Sequence, residues 1–316
     1  MDDIVSKTAI ATVALMKLRG VGRRAALRVA DRAINTEDAE IAFWERARRQ
    51  KIDAAALTEA WKSAEEILEK SRAAGIGAFA FADEGYPARL RDIPDPPAVL
   101  FVKGDRKSLR GEHALAVVGT REPTTYGQRV ARRLAESAVG QHFTIVSGLA
   151  HGCDTFAHEG CVEAGGQGIA VLAHGLDKVY PAANKGLAKR LLDNGGCLVS
   201  EYPIGMTPLR TAFAERDRIQ SGLSDAVLVI ETDVKGGTMH TVNFARQQGR
   251  PLACVDHPDV WHSEPKVQGN RMMIRESWAE PIANGDAFLG LLYRVSRRSE
   301  HPARALSEDA QREMDF

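Results

Sequence analysis

Between residues 115 and 255 the chain alternates between short apolar runs and longer stretches with helical periodicity. The apolar runs are continuous, which is typical of strands buried on both faces of a sheet. In order they read LAVVG, FTIVSG, GIAVLAHG, GCLVSEYP, DAVLVIET and PLACVD. Amphipathic stretches separate most of them, at 128–139, 155–164, 184–193 and 241–248. This alternation predicts an α/β fold with an extended Rossmann-like, doubly wound, mainly parallel sheet.

The pattern before this region is different. Residues 1–80 are rich in Ala, Leu, Glu and Arg and predict a small helical domain. Within it, two helix-like segments flank Gly20-Val21-Gly22, an arrangement that resembles a helix-hairpin-helix turn. Residues 4–30 hold six Lys or Arg and no acid. The turn either presents backbone N–H groups to a phosphate or simply joins two helices with a solvated basic face.

A proline-rich connector, 84–105, leads into the alternating region. Its four prolines exclude a helix, and residues 98–103 predict a short extended strand. We therefore predict a helical domain over 1–80, a Rossmann-like domain over 81–290 and a polar tail over 291–316, frayed or disordered.

Composition narrows the class of protein. The 316 residues are 44% hydrophobic and 27% charged, and no apolar run is long enough to cross a membrane. The N-terminus lacks a signal-peptide pattern, so we expect a cytoplasmic protein without a membrane partner. The formal net charge is zero, so a nucleic-acid partner would need a local basic patch. Four cysteines without C-x-x-C spacing indicate reduced thiols and no metal site.

Glycine-rich turns follow four of the predicted strands. They read VVGTR, VSGLAHGCDT, LAHGLD and ETDVKGGTMHT. Because parallel strands end at one sheet edge, these turns and the helices they open can form an anion cradle, to which Arg121 adds a charged fork. The alternative is that the glycines serve only tight strand-to-helix turns.

Several familiar sites are excluded by their absent motifs. The chain has no P-loop, no G-x-G-x-x-G after the first sheet strand and no G-x-S-x-G elbow. Asp154 and His158 are four residues apart on a predicted helix and could form an acid–base pair. We favour a structural interpretation, with Asp154 capping the helix and His158 packing locally.

The ordered motifs, taken together, resemble the DNA-processing protein A (DprA/Smf) family. They read VVGTR…YG, IVSGLAHGCDTFAH, GIAVLAHGLDKVYPAAN, LVSEYPIG, FAERDRIQSGLSDAVLVIE, GGTMHT and ARQQGRPLACV, preceded by YPARLRDIPDPPAVLFVKGD. This resemblance implies a homodimeric, single-stranded DNA-binding recombination mediator that hands the strand to a RecA-type recombinase. It implies no catalytic step and no cofactor.

The resemblance also assigns site residues. Gly119-Thr120-Arg121 matches the family's Gly-Ser/Thr-Arg, a DNA-phosphate contact, and Phe213 to Arg218 match its Phe-Pro-x-Arg-Asn-Arg. Phe213 is either a stacking platform for bases or a core aromatic. The predicted DNA-binding set is Gly119, Thr120, Arg121, Tyr126, Gly127, Ser147, Gly148, Gly152, Phe213, Arg216, Arg218, Lys235, Gly236, Gly237 and Thr238.

Some positions depart from the family pattern. Asp217 replaces Asn and Glu215 enters beside it, which lowers the local positive potential. The family's Ser-Gly-Ser is replaced by Lys235-Gly236-Gly237-Thr238, and no winged-helix pattern follows residue 290. The chain therefore resembles a divergent member.

A second class of function stays open. Gly236-Gly237-Thr238 at a strand end also resembles the lysine-decarboxylase-like phosphoribohydrolases and related nucleotide-binding proteins. The chain would then be a nucleotide sensor or hydrolase, for example in defence against foreign DNA, with Asp154 and Glu231 as candidate carboxylates. A third possibility is a non-enzymatic interaction protein that uses the fold as a scaffold.

Overall fold

A nine-stranded sheet forms the centre of the molecule in a computed structural model that describes residues 5–27, 44–45 and 53–300. The strands are β1 Ile76–Ala80, β2 Val99–Gly104, β3 His113–Val118, β4 Phe143–Ser147, β5 Gly168–Val171, β6 Cys197–Ser200, β7 Ala226–Val229, β8 Leu252–Val255 and β9 Glu280–Ile282. Their order across the sheet is β1-β2-β6-β5-β4-β3-β7-β8-β9. In this spatial order, every neighbouring pair from β6 across to β9 is parallel. The pairs β1–β2 and β2–β6 are antiparallel and form one edge of the sheet. The predicted doubly wound, mainly parallel sheet is confirmed.

Helices cover both faces of this sheet. They are α1 Lys7–Lys17, α2 Ala54–Ala73, α3 Ala88–Arg91, α4 Thr125–Gly140, α5 Cys153–Glu163, α6 Lys185–Asp193, α7 Arg210–Gly222, α8 Thr238–Gln247, α9 Gln268–Arg275 and α10 Gly285–Glu300. Short 3₁₀ segments occur at Arg106–Arg110, Ala182–Asn184, Asp259–Trp261 and Pro265–Val267. The prediction that prolines exclude a helix from the connector 84–105 is wrong for α3, a single turn that follows Pro87, because a proline is tolerated at the start of a helix. No helix of the described part is both long and apolar enough to cross a bilayer.

Helix α4 illustrates how the sequence determines these elements. Thr124 is its N-cap, and the hydroxyl oxygen accepts a hydrogen bond from the N–H of Gly127 at 3.1 Å. Ala131, Ala135 and Ala138 recur at helical spacing and are fully buried against the sheet. Small side chains on this face let α4 lie close to β3 and β4, which fixes the turn that precedes it.

The N-terminal helices pack onto the sheet. Buried residues of α1 and α2 share one apolar cluster with Ala78 and Phe101 of the antiparallel edge. The boundary predicted at residue 80 is therefore misplaced, because 76–80 is strand β1 of the central sheet. The reason is that β1 is a short run, IGAFA, with two alanines and a glycine, which lacks the β-branched signal of a strand.

The turn around Gly20 joins two helical segments as predicted. Gly20 has a positive φ of 81°, and the described residues 23–27 are helical again. However, the Arg23 guanidinium binds Glu201 at 3.1 Å and also pairs with Asp95. Arg23 thus ties this turn to the sheet domain, and a phosphate-binding role for the turn stays a prediction.

The predicted polar tail is wrong for residues 291–300. Helix α10 runs through them, and Phe288, Leu291, Leu292 and Val295 are buried against the sheet. Their spacing is that of one helix face, which the strongly polar composition of residues 296–316 outweighed in the sequence pattern. Residues 301–316 lie outside the described residues.

The topology creates one switch point. From β3 the chain continues on one side to β4, β5 and β6, and then returns to place β7 on the other side of β3. A crevice opens where the chain leaves β3 and β7 in opposite directions, at the carboxyl ends of these strands. Ligands of doubly wound sheets bind in this crevice.

Candidate nucleic-acid interface

A cleft of about 800 Å³ lies at the switch point. The turns after β3, β4 and β7 and the buried side of α7 form its floor. Eight of the predicted site residues line it: Gly119, Thr120, Arg121, Phe213, Arg216, Gly236, Gly237 and Thr238. Three of the four predicted glycine-rich turns thus contribute to one cleft, whereas the turn LAHGLD supplies none of its lining residues.

Arg121 and Phe213 form the rim of the cleft. Arg121 is exposed, and its guanidinium lies 5.2 Å from the centre of the Phe213 ring. The half-buried Phe213 also meets Tyr180, whose ring centroid is 6.0 Å away and which is 52% exposed. Phe213 belongs to none of the buried apolar clusters of the described residues, so the core interpretation is wrong. Two aromatic faces and a cation thus stand together beside solvent.

The turn that carries Arg121 is held from both sides. Thr120 donates its N–H to the Glu231 carbonyl at 2.8 Å, and its own carbonyl accepts the N–H of Cys153 at 3.1 Å. A Cβ on Gly119 would lie 2.4 Å from the Cys153 sulfur, so a side chain at that position has no room. Gly152 has a φ of 80°, and a Cβ there would lie 2.4 Å from the Thr120 carbonyl oxygen. Close backbone packing therefore explains these two glycines, and it presents Arg121 from a rigid support.

Arg216 lies in the floor of the cleft and is only 5% exposed. Its guanidinium lies 3.4 Å from Asp217 and 3.9 Å from Asp154. The absence of a side chain on Gly148 makes room for it, since a Cβ there would be 1.9 Å from Nη1. Among the described residues, Nε of Arg216 has no hydrogen-bond partner. The floor thus contains one buried cation between two carboxylates.

Asp154 organises the loop after β4. Its Oδ2 accepts the N–H groups of Gly148 at 3.1 Å and Ala150 at 3.3 Å. The predicted helix cap is wrong, because Gly152 occupies the N-cap of α5 and makes no side-chain bond. Burial raises the pKa of Asp154, and the charge of Arg216 opposes this shift.

His158 takes no part in an acid–base pair. It is fully buried, and neither ring nitrogen has a hydrogen-bond partner among the described residues. Burial lowers the pKa of His158 to about 4, which keeps the ring neutral. The prediction that His158 packs locally agrees with this environment.

Glu231, the second candidate carboxylate, anchors the start of α4. It accepts the N–H of Thr124 at 2.8 Å and its hydroxyl at 2.5 Å, and it lies 3.3 Å from Nε2 of His257. Burial raises the pKa of Glu231, but the bonds from His257 and Thr124 outweigh this and lower it overall. The carboxylate also fills the space next to Gly127, where a Cβ would lie 2.4 Å away. Glu231 is thus committed to structure and does not line the cleft with Asp154.

A family comparison identifies the relatives of the sheet domain. The model of the family described as DNA recombination-mediator protein A matches residues 78–292. The chain belongs to the DNA recombination-mediator protein A family. The resemblance to DprA/Smf proteins that the motifs indicated is thereby confirmed.

Relatives of this family are similar over more than half of the chain. Protein Smf of Synechocystis sp. is 42% identical over 182 residues, which are 56% of this chain and 46% of that protein. Protein Smf of Escherichia coli is 39% identical over 193 residues, 61% of this chain and 50% of its own length. DNA processing protein DprA of Bacillus subtilis is 37% identical over 211 residues, 66% of this chain and 71% of its own. The chain spans about half the length of the first two relatives.

Two solved structures of the family share the fold. DprA from Streptococcus pneumoniae superposes with a TM-score of 0.64 and 29% identity, covering 90% of this chain and 94% of its own. DNA processing protein A from Helicobacter pylori, described for its single-stranded DNA binding mode, gives a TM-score of 0.62 and 26% identity. That alignment covers 70% of this chain and 96% of the other.

Not every residue that the family motif nominated lies in the cleft. Arg218 is 2% exposed and makes two hydrogen bonds to the Glu201 carboxylate, at 2.7 and 2.6 Å. Its Nε donates to the Asp95 carbonyl at 2.7 Å. The prediction that Arg218 contacts DNA is corrected: its guanidinium is fully used inside the protein.

Other nominated residues support the cleft from behind or lie beside it. Ser147 is buried and donates its hydroxyl to the Val117 carbonyl at 2.7 Å. Tyr126 stacks on the ring of Trp261 and contacts that of His257 at a tilt of 58°. The remaining four do not line the cleft either: Gly127, Gly148, Gly152 and the exposed Lys235.

The structure adds residues that the sequence did not single out. Four of them line the cleft: Tyr180, Arg210, Gln220 and His240. Gln220 could have been found, because 213, 216, 217 and 220 follow the spacing of one helix face. Tyr180 could not, since it reaches the cleft from the loop after β5, whose path depends on tertiary packing.

Proposed function

We propose that the chain binds single-stranded DNA in the switch-point cleft and acts as a recombination mediator. The observation that supports this best is the exposed pair of Arg121 and Phe213 beside Tyr180 at the rim. Arginine guanidinium groups bind backbone phosphates whatever the base sequence, and aromatic faces stack on any base. Such a rim suits a strand whose sequence is not read.

The same rim favours a single strand over a duplex. A base can stack on Phe213 or Tyr180 only if it is free of its partner base. Phosphates of the strand would contact Arg121 and Arg210, which stand exposed at the same opening. Base stacking contributes roughly 1–3 kcal/mol for each base, a term that duplex DNA cannot supply without unpairing.

Family membership supports the wider parts of the proposal. The Helicobacter pylori relative is described by its binding of single-stranded DNA. By analogy, we propose that this chain forms a homodimer and loads a RecA-type recombinase in the cytoplasm. The carboxyl ends of β3 and β7 would hold the strand while the recombinase assembles on it.

The proposal includes no bond-breaking step. Asp154 bonds to two backbone N–H groups and lies close to Arg216, while Glu231 holds the start of α4. Glu231 does not line the cleft, and Oδ2 of Asp154, the carboxylate that does, is occupied by two backbone N–H donors. The geometry therefore offers no observation in favour of the phosphoribohydrolase alternative.

Fluorescence anisotropy with labelled single-stranded and double-stranded oligonucleotides at two salt concentrations tests this function. We expect tighter binding of the single strand, and weaker binding of both at higher salt. Equal affinity for the two forms would remove the stacking argument. In parallel, nucleoside monophosphates are incubated with the protein, with and without magnesium. Release of free base that Asp154→Ala abolishes would replace the mediator by a hydrolase.

A further inference from the structure

The floor of the cleft carries more negative charge than its arginine can neutralise. Arg216 lies 3.4 Å from Asp217 and 3.9 Å from Asp154, and all three side chains are largely buried. With both carboxylates ionised, the cluster has a net charge of −1. A cleft proposed to receive phosphates thus has a floor that repels them.

Within this cluster, Asp217 has polar and charged neighbours from several elements. Gln220, on the same helix, donates its Nε2 proton to Oδ1 of Asp217 at 2.8 Å. From α8, Thr241 lines the cleft together with Asp217, and so does the exposed His240. Arg216 and Asp154 complete the charged groups around it.

These groups make Asp217 a carboxyl that can change its charge near neutral pH. Burial raises the pKa of Asp217 to about 6, and the charge of Asp154 adds to the shift, while Arg216 and His240 oppose it. Asp154 differs because backbone N–H groups hold its ionised form in place. A proton that enters the cluster near neutral pH therefore goes to Asp217.

A bound phosphate would add a negative charge beside this carboxylate. Two like charges about 4 Å apart repel strongly in a partly buried site. Arg216 lines the cleft, and its guanidinium is held by Asp217 and Asp154 only at 3.4 and 3.9 Å, so a phosphate can compete with these carboxylates for it. Protonation of Asp217 removes the repulsion and leaves Arg216 with Asp154 as its remaining counterion.

We propose that Asp217 couples the binding of a phosphate group in the cleft to the uptake of one proton. Arg216 then exchanges the Asp217 carboxylate for the phosphate as its partner. The proton comes from solvent and no covalent bond changes. This inference rests on the proposed function, because the phosphate is that of the bound DNA strand.

The coupling predicts the sign of the pH dependence. The phosphate raises the pKa of Asp217 in the complex above its value in the free protein. Affinity therefore increases as the pH falls through the window between these two values, and it levels off below the lower one. Each unit of difference between the two pKa values corresponds to about a tenfold change in affinity.

The test measures the affinity for a labelled oligothymidylate at constant ionic strength between about pH 5.5 and about pH 8. The wild-type chain should bind more tightly as the pH falls. Asp217→Asn should remove this slope and bind more tightly than wild type at the upper end. Glu215→Gln is the matched control, because it neutralises an exposed carboxylate on the same helix outside the cleft lining; it should keep the slope.

Two further measurements keep the outcome decisive. His240→Gln should keep the slope, and a slope lost in this variant but kept in Asp217→Asn would overturn the inference. Calorimetric binding to wild-type protein in two buffers of different ionisation enthalpy should show proton uptake, which needs no variant to fold. Wild-type binding without a pH slope or proton uptake would overturn this inference alone. Failure to bind the strand at any pH would overturn it together with the proposed function.

Discussion

Arg216 and Arg218 are two residues apart in one motif, yet they belong to different parts of the molecule. Arg216 lies in the floor of the cleft with an unpaired Nε among the described residues. Arg218 is enclosed by Glu201 and the Asp95 carbonyl. Residues two apart on a helix are turned by about 200° around its axis, so one faces the ligand and the other the protein.

This difference shows what each region contributes. The Arg218 network joins α7 to the segment after β6 and, through Arg23, to the N-terminal helices. The cleft, by contrast, leaves Arg121 without a carboxylate partner among the described residues and places it over an aromatic ring. We therefore expect variants of the first region to change stability and variants of the second to change DNA binding.

Arg218→Met should give the largest effect. It removes the guanidinium and leaves the Glu201 carboxylate buried with only the half-buried Arg23 nearby. Breaking a buried ion pair from one side lowers the free energy of unfolding by roughly 3–5 kcal/mol. Urea denaturation measures this change. Arg121→Ala should stay within about 0.5 kcal/mol of wild type in the same experiment, and an equal loss in both variants would erase the distinction between the regions.

Glu231→Gln should destabilise the start of α4 by a smaller amount. It weakens the bonds from Thr124 and His257, at an expected cost of roughly 1–3 kcal/mol. Because folding lowers the pKa of Glu231, its contribution is present above the pKa of the unfolded chain and is lost as the pH falls through the folded value. As the pH is lowered into the acid range, the Tm of the variant should fall less steeply than the Tm of the wild type. A fall as steep as that of the wild type would contradict the anchoring role.

Phe213→Leu should weaken single-strand binding while it preserves an apolar side chain. We expect a loss of roughly 1–3 kcal/mol for the single strand and almost none for the duplex. Phe156→Leu is a matched control, since Phe156 also lies beneath an arginine, Arg132 at 5.9 Å, but outside the cleft. Anisotropy titrations compare the two variants. Equal losses would indicate that stacking at Phe213 contributes nothing to binding.

Most of the fold could be predicted from the hydrophobic pattern. The six apolar runs are strands β3 to β8, because a strand covered on both faces needs a continuous apolar sequence. The two ends of the sheet domain were harder. Strand β1 has a weak signal, and the buried face of α10 ends where a strongly polar stretch begins at residue 296. Tertiary packing decides both elements.

The site was predicted in part. Strand ends meet at one edge of a parallel sheet by geometry, so the glycine-rich turns and Arg121 could be assigned to the cleft. The roles of Arg216 and Arg218 could not be separated, because their partners Asp154 and Glu201 are remote in sequence. The same holds for Tyr180, which a loop brings to Phe213.

The most direct test of the central claim is the salt dependence of single-strand affinity in Arg121→Ala. If Arg121 contacts a phosphate in the cleft, the variant binds all sequences more weakly and its log–log salt slope becomes shallower by about one. Arg133→Ala, which removes the same charge from the exposed side of α4, should keep the wild-type slope. A wild-type affinity and slope in Arg121→Ala, or identical losses in both variants, would contradict a DNA-binding cleft at the switch point.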